Sequence, residues 1–362
     1  MSSCSYASGS KLVLSQQKQQ ELNKNFMVTI KDVAKVAGVS IATVSRVIHD
    51  GGQVGDACRA RVKKVIAELG YRPNSNARAL VRKTTNTLGV VTPKISMPFF
   101  GSLASGVEKG ARENNYKCLM SNSLYETKSE LEAIESLRDH NCRSIILHSE
   151  YSDEKTLLKL AEEIPGLVLI NRYIPAISNR CVWLDNQTGA KHATEYLLKR
   201  GHKKFAVITS IYQNGDPGFR LQGIREALKT ANLPLPEQAI EESTANLEGG
   251  EQAVKALLAK GIKFTALLAY NDNMAIGAIH ALFEAGLRVP EDVSVIGFDD
   301  LIISRVCRPR LTTVHYPVEE MASYATKLAI ELGEHPDASH HRTHLFIPHL
   351  VERDSVADAP KS

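Results

Sequence analysis

Residues 29–47 read Thr-Ile-Lys-Asp-Val-Ala-Lys-Val-Ala-Gly-Val-Ser-Ile-Ala-Thr-Val-Ser-Arg-Val, a run that predicts a helix, a glycine turn and a second helix. Ala34, four places before Gly38, is small enough to let two helices cross closely, and Gly38 accepts the backbone angles of a tight turn. Val39 and Val44 are spaced to fill the cleft between the helices. Ser40 stands where its hydroxyl can accept a hydrogen bond from a free backbone N–H of the second helix. That helix then presents Ile41, Ala42, Ser45 and Arg46 outward, the face a helix-turn-helix lays in the DNA major groove.

Charge points the same way. The chain has 362 residues and a net charge of +4, but residues 27–83 hold 11 Lys and Arg against 4 acids, leaving the remainder slightly acidic. A basic head on a mildly acidic body suits a polyanion read by one end. Asp56 to Leu69 adds a third helix, with Val62, Val65, Ile66 and Leu69 at helical spacing, and Tyr71-Arg72-Pro73 stops it. The polar segment 74–82, whose prominent apolar residue is Leu80, is marginal as an isolated helix. It is expected to fold only when held against DNA and a second copy.

Residues 1–26 are rich in Ser, Gln, Lys and Asn and are predicted to be disordered, with translation expected to begin at Met27. They hold no signal-peptide run, and no stretch of the chain approaches the ~20 apolar residues of a membrane span. The six cysteines (Cys4, Cys58, Cys118, Cys142, Cys181, Cys307) form no C-x-x-C pair, the pattern of reduced thiols in a cytoplasmic protein rather than of a disulfide framework or zinc site.

From Thr87 the pattern becomes alternating strands and helices. Strand-like runs fall at 88–91, 118–122, 144–147, 167–171, 182–184, 205–209, 266–269 and 293–298, with helices such as 188–200 and 273–285 between them and a final strand at 345–350. Continuous apolar strands between helices predict parallel sheets covered on both faces, best divided into two doubly wound α/β subdomains. Ligands bind at the carboxyl ends of such strands. Polar residues gather there: Asn122, His148, Asn171-Arg172, Asp185-Asn186, Asn271-Asp272 and Asp299-Asp300, with Arg220 early in a helix and Phe99-Phe100 after the first strand. Carboxylates, amides and a fork-shaped guanidinium beside aromatic rings are the chemistry of sugar recognition. Helix capping competes as an explanation for Asp185, Asn271 and Asp299. The chain carries no G-x-x-x-x-G-K-[ST], G-x-G-x-x-G or G-x-S-x-G. The histidines at 335, 340, 341, 344 and 349 read as a solvated loop running into the final strand rather than a metal site, and nothing near Asp299-Asp300 supplies a nucleophile.

The helix-turn-helix, the Pro-Asn-x-x-Ala-x-x-Leu linker at 73–80 and the two sugar-binding-type subdomains together resemble the lactose/galactose repressor family, from Met27 to about Val356. Segments 36–47, 76–80, 169–172, 270–275, 296–300 and 308–314 look closer still to its galactose repressor and isorepressor branch. The resemblance implies an extension at 1–26, a DNA-binding domain at 27–72, a hinge at 73–84 and a core at 85–357. The core would divide into an N-subdomain (85–185 and 318–344) and a C-subdomain (186–316 and 345–357) of the periplasmic-binding-protein type. It implies a cytoplasmic homodimer that reads a near-palindromic operator, with neither cofactor, metal nor catalytic group. Ile41 and Ala42 would select the operator, apolar contacts suited to thymine methyls, and Arg46 would read a guanine edge. Thr29, Ser40, Thr43 and Ser45 would hold phosphates. Asn74 and Ala77 would belong to a hinge helix whose Leu80 wedges into the minor groove. A monosaccharide, by this branch D-galactose or a relative, would lie between the subdomains. Arg220 and Asp299 would grip its hydroxyls beside Asn271, with His148, Arg172, Asn122 and Asp185 further round and Phe99 and Phe100 as an apolar wall. Two departures stand out: Met97 where the galactose branch has Asp, and His49 where Asn is common. A transport-type sugar-binding protein would share the core but has no use for residues 27–82. A regulator tuned to another sugar is the other alternative.

Overall fold

The structure is a computed structural model that describes residues 28–52, 54–71, 86–212, 215–336 and 344–361. Residues 1–26 and the hinge residues Asn74, Ala77 and Leu80 lie outside the described residues. Two compact units divide between Lys83 and Thr84.

The first unit is built on α1 (Ile30–Ala37), α2 (Ile41–Ile48) and α3 (Asp56–Glu68). Gly38 ends α1 at φ 64° and ψ 39°, the left-handed conformation that makes the turn possible. Val33, Ala34, Ala37, Val44, Val47, Val62 and Val65 form a core of small side chains, with Val39 only partly buried beside it. Arg59 braces the loop after α2, donating to the Asp50 carboxylate and to the Gly51 carbonyl oxygen, each at 3.0 Å.

The second unit contains two six-stranded sheets. In chain order it runs β1 (Thr87–Thr92), α4 (Pro98–Glu113), β2 (Lys117–Asn122), α5 (Thr127–Asp139), β3 (Ser144–Leu147), α6 (Glu154–Glu163), β4 (Gly166–Ile170) and β5 (Cys181–Leu184). There follow α7 (Asn186–Lys199), β6 (Phe205–Ser210), α8 (Asp216–Thr230), β7 (Ile240–Ser243), α9 (Leu247–Ala259), β8 (Ala266–Ala269), α10 (Asp272–Glu284) and β9 (Ser294–Asp299). The remainder is α11 (Ile302–Val306), β10 (Thr312–His315), α12 (Val318–Glu334), β11 (His344–Phe346) and β12 (His349–Val351). The first sheet has the order β11-β5-β4-β3-β1-β2 and is parallel throughout. The second has the order β12-β10-β9-β8-β6-β7 and is parallel except where β12 runs against β10. Both are the doubly wound α/β architecture of the sequence reading. Helix α12 returns to the first sheet and buries Val318, Met321, Ala322 and Ala325 against it and α4.

Two strands escape the sequence pattern. β7 is Ile-Glu-Glu-Ser, a half-exposed edge pairing only with β6, so it needs no apolar run. β10 is a four-residue strand inside a segment noted only for its family motif. The expectation of one final strand at 345–350 is corrected. Pro348 cannot donate to a ladder, and the chain splits there: Leu345 and Phe346 pair with Trp183 and Leu184 of the first sheet, while His349–Val351 joins the second. The chain therefore passes from the first sheet to the second at Ile347-Pro348. His344 is likewise no loop residue; it is buried on β11, its Nδ1 lying 2.6 Å from the Tyr324 hydroxyl. Among the described residues no helix is long and apolar enough to cross a membrane.

Candidate functional site

Two places carry polar chemistry that the fold alone does not need. The first is the exposed face of the helical head. Ser40 caps α2, its Oγ accepting from the Thr43 backbone N–H at 3.1 Å and lying 2.9 Å from Thr43 Oγ1. Thr29 precedes α1, its backbone N–H donating to Asp32 Oδ2 at 2.9 Å and its hydroxyl at 2.7 Å. Ile41, Ala42, Arg46 and His49 are exposed and Ser45 half-buried along one side of α2, while Val44 and Val47 on the other side enter the core. Arg46 makes no ion pair among the described residues, so its guanidinium is available to an outside partner.

The second place is a cavity between the two sheets, about 450 Å³ including its open mouth. It lies where strands of both sheets end, as expected for this topology. Arg220, on the first turns of α8 and 6% exposed, sits at its centre. Its Nε donates to Asn186 Oδ1 at 2.8 Å and its Nη1 to the Tyr270 carbonyl oxygen. Its guanidinium carbon stands 3.6 Å from the centroid of the Phe298 ring and 4.5 Å from that of Tyr270. Nη2 is 3.9 Å from both Asp216 Oδ2 and Asp299 Oδ1. Gly223 makes this placement possible, because a Cβ there would run into the Gln187 carbonyl oxygen of α7. The close approach brings Asn186 and Arg220 together.

Opposite Arg220 lies an aromatic cluster. The ring of Phe99 meets Phe100 edge-on at 5.3 Å and Tyr316 at 5.0 Å, and Phe100 meets His148 at 5.0 Å. Besides the Phe99–Tyr316 ring pair, further contacts span the subdomains. Asn171 Nδ2 donates to Asp216 Oδ2, the Tyr316 hydroxyl donates to Asn171 Oδ1, and the rings of Tyr125 and Tyr212 stack at 5.5 Å. Asn186 Nδ2 also donates to Asp216 Oδ1 at 3.0 Å.

The electrostatics are unbalanced. Burial pushes the carboxyls of Asp216, Asp299 and Glu150 up to about 6, 7 and 8, with neighbouring carboxylates adding to the effect at Asp299 and Glu150. Burial also takes the His148 imidazole down to about 4, so it is neutral at physiological pH. Arg220 opposes all three carboxyls, and Arg172 opposes Glu150 as well.

The cavity gathers Phe99, Phe100, His148, Arg220, Asn271 and Asp299 from the sequence expectation. Asn271 both lines it and caps α10, accepting from the Met274 N–H at 2.9 Å. Three expected residues fall outside. Asn122 ends exposed strand β2 and accepts from the Ile95 N–H at 2.9 Å. Asp185 is spent on capping α7, accepting from the Thr188 N–H at 3.0 Å. Arg172 follows Asn171, whose left-handed backbone (φ 61°) turns the chain so that the amide, not the guanidinium, enters the cavity. Sequence reasoning missed Tyr125, Glu150, Tyr212, Asp216, Tyr270 and Tyr316 as lining residues. A signal existed for Asp216, four residues before Arg220 and so on the same face of α8. Glu150 and Tyr212 lie in loops beyond strand ends, where no periodicity marks them.

Comparison with known proteins finds relatives for both units of the chain. Residues 29–74 match the model of bacterial regulatory proteins of the lacI family, and residues 194–356 match a periplasmic binding protein-like domain. The chain is 43% identical over 332 residues to the HTH-type transcriptional regulator GalR of Salmonella typhimurium, covering 91% of this chain and 96% of that protein. It is 42% identical over 331 residues to GalS of the same organism, covering 91% and 97%. Among solved structures, the lac repressor bound to ONPG in its repressed state superposes with a TM-score of 0.82 at 25% identity, covering 91% of this chain and 100% of that one.

Proposed function

The chain belongs to the lacI family of bacterial regulatory proteins, and from that premise we propose that it is a dimeric operator-binding repressor whose inducer is D-galactose or a close relative. It is a transcriptional regulator of sugar genes and not an enzyme. The observation that carries the effector reading is Arg220, held rigid between two carboxyls and two aromatic rings, facing the Phe99–Tyr316 cluster across a polar cavity. Charged hydrogen-bonding groups can pair with ring hydroxyls, while the less polar face of a pyranose packs on aromatic carbon.

At the head, Ile41 and Ala42 meet base edges through apolar contact and Arg46 donates two hydrogen bonds to a guanine edge. Thr29, Ser40, Thr43 and Ser45 hold the phosphates that fix register, and His49 extends the same face. Asn74, Ala77 and Leu80 form the hinge that inserts into the central minor groove, where unstacking costs a few kcal/mol and the bend offsets it with added contact. Induction follows from closure. Sugar bound to Arg220, Asn271 and Asp299 on one side and to His148 and the phenylalanines on the other favours one relative setting of the subdomains. If that setting is the DNA-incompetent one, a differential of ~1–3 kcal/mol couples the sites.

Dimerisation has an apolar patch to use. Phe283 on α10 is 77% exposed, and Ile302 and Val306 on α11 are 68% and 65% exposed. Phe283 borders an apolar groove formed with Ile276, Ile279, Leu287 and Val289. Exposed apolar side chains of this size mark an association site.

A gel shift on DNA upstream of neighbouring sugar genes tests the reading. Specific binding at moderate salt that D-galactose releases is expected. Absence of specific binding overturns the regulator assignment of these residues, and binding that no sugar affects overturns the inducer assignment.

A further inference from the structure

Asp272 stands between Asn271 and Asn273, which both line the cavity, yet it does not line the cavity itself. It is the first residue of α10 and is fully buried. Its Oδ2 accepts from the Leu301 backbone N–H at 2.8 Å and its Oδ1 from the Thr313 hydroxyl at 2.5 Å. Both donors are neutral. Burial, with Asp299 and Asp300 close by, pushes this carboxyl well above its ordinary range, so the position is a costly one for an acid. Strand β9 nevertheless makes room for it, since a Cβ on Gly297 would come within 2.4 Å of Oδ1. The reason for keeping such a group lies in what its two bonds hold.

The Leu301 N–H lies immediately beyond a strained turn. Asp299 and Asp300 are two successive non-glycine residues at positive φ, 112° and 56°, a conformation that persists only where surrounding contacts impose it. That conformation decides where Asp299 goes: its carboxyl lines the cavity and stands 3.9 Å from Arg220 Nη2. The Asp300 carboxylate anchors the turn to His315 Nδ1 at 3.0 Å, to Ser304 Oγ at 3.3 Å and to the guanidinium groups of Arg353 and Arg305. Asp272 anchors it to α10, the helix that Asn271 caps at the cavity. Through Thr313 the same carboxyl also fixes β10, three residues before Tyr316, whose hydroxyl crosses the cleft to Asn171.

Building on the effector reading above, we propose that Asp272 is a positioning residue of the sugar site. By its bond to the Leu301 N–H it holds the turn at 299–300 in the strained form that presents Asp299 to a hydroxyl of the effector. It touches no ligand itself, and what it contributes is an acceptor oxygen rather than a charge. Asn at this position would keep an acceptor for Leu301 and donate its amide to the Thr313 hydroxyl, which accepts as readily as it donates. Ala would release the turn from α10.

The test is calorimetry with D-galactose on the full-length protein, run as a double-mutant cycle between positions 272 and 299. Asp299→Gly removes the gripping carboxyl at a φ that glycine adopts freely, and leaves Arg220 and Asn271 to bind the sugar. Asp272→Ala is expected to weaken D-galactose binding at least tenfold in the wild-type background and less than threefold beside Asp299→Gly. Asp272→Asn should recover affinity to within threefold of wild type. Urea unfolding checks the core of each variant; where Asp272→Ala does not fold, Asp272→Ser takes its place, being too short to reach the Leu301 N–H. Equal losses in both backgrounds overturn the inference, because they mark a packing defect that does not act through Asp299. Wild-type affinity in Asp272→Ala overturns it too, as does an Asp272→Asn variant as weak as Asp272→Ala, which would assign the effect to charge. A wild-type protein that binds no D-galactose overturns the effector reading, and the inference with it.

Discussion

Replacing Asp299 with Asn separates the charge of this residue from its shape. Asp299 sits at φ 112°, outside the usual range of L-residues, and Asn is among the side chains that tolerate positive φ best. The substitution therefore adds little backbone strain. What it removes is a carboxyl that burial, and then the neighbouring Asp216, hold up at about 7 against an ordinary 3.8, even though Arg220 pulls the other way. Between those two values the folded protein keeps a proton that the unfolded chain has released, so stability falls as pH rises through the window. The full difference corresponds to roughly 4 kcal/mol as a ceiling. Asp216 titrates over part of the same range against the same guanidinium, so the share assignable to position 299 is about 2 kcal/mol. Urea unfolding at pH 4.5 and 7.5 reads it: the wild-type core loses stability on going up, and Asp299→Asn loses about 2 kcal/mol less. The same variant should bind D-galactose five- to tenfold more weakly, because a neutral hydrogen bond replaces a charged one. An Asn variant with the wild-type pH slope and wild-type affinity refutes the placement of a buried, effector-facing charge at 299.

Arg220→Ala should leave a repressor that binds operator but ignores D-galactose, with at least a hundredfold loss of sugar affinity in calorimetry, and normal sugar affinity would remove Arg220 from the site. Arg46→Ala should cut the preference for an operator selected from random DNA by ten- to a hundredfold in fluorescence anisotropy at fixed salt while sugar affinity stays the same; retained preference would move base reading elsewhere on α2. Phe283→Glu should shift sedimentation equilibrium toward the monomer by at least tenfold in Kd, since the change places a charge in an apolar contact; an unaltered dimer would place the interface on another face.

How far the sequence could be read follows from the kind of signal each part leaves. The turn glycine, the cap Ser40 and the valine spacing are local, and the head matches them residue by residue. Parallel strands buried on both faces are also local signals, because they are apolar throughout. Edge strands other than β2 are not: β7 is half acidic and β11 and β12 are three residues each. The cleft is the least local feature of all. Arg220 and Asp299 could be singled out by type and place, but only the packing of α7 on α8 puts Asn186 against Arg220, and only the left-handed turn at Asn171 decides between an amide and the adjacent guanidinium. Asp185 and Asn271 show the limit of reading from residue type. Both cap helices by accepting from the N–H three residues on, and only one of them also lines the cavity.

The order in which the strands appear along the chain has a consequence for synthesis. Residues 28–71 contain the three helices that form the core of the head, so that core can pack as soon as they leave the ribosome. The first sheet cannot finish so early. Its edge strand β11 and its covering helix α12 come from residues 318–346, after five strands of the second sheet have been made, and the second sheet in turn waits for β12. From residue 184 until β11 is made, the nascent chain carries β5 with an open edge and an apolar face that α12 will later cover, the state in which unfinished sheets are prone to mispair. The part that reads DNA is thus complete before the part that senses sugar. A chain cut short between residues 71 and 344 would carry a finished head on a core in which neither sheet has all its strands.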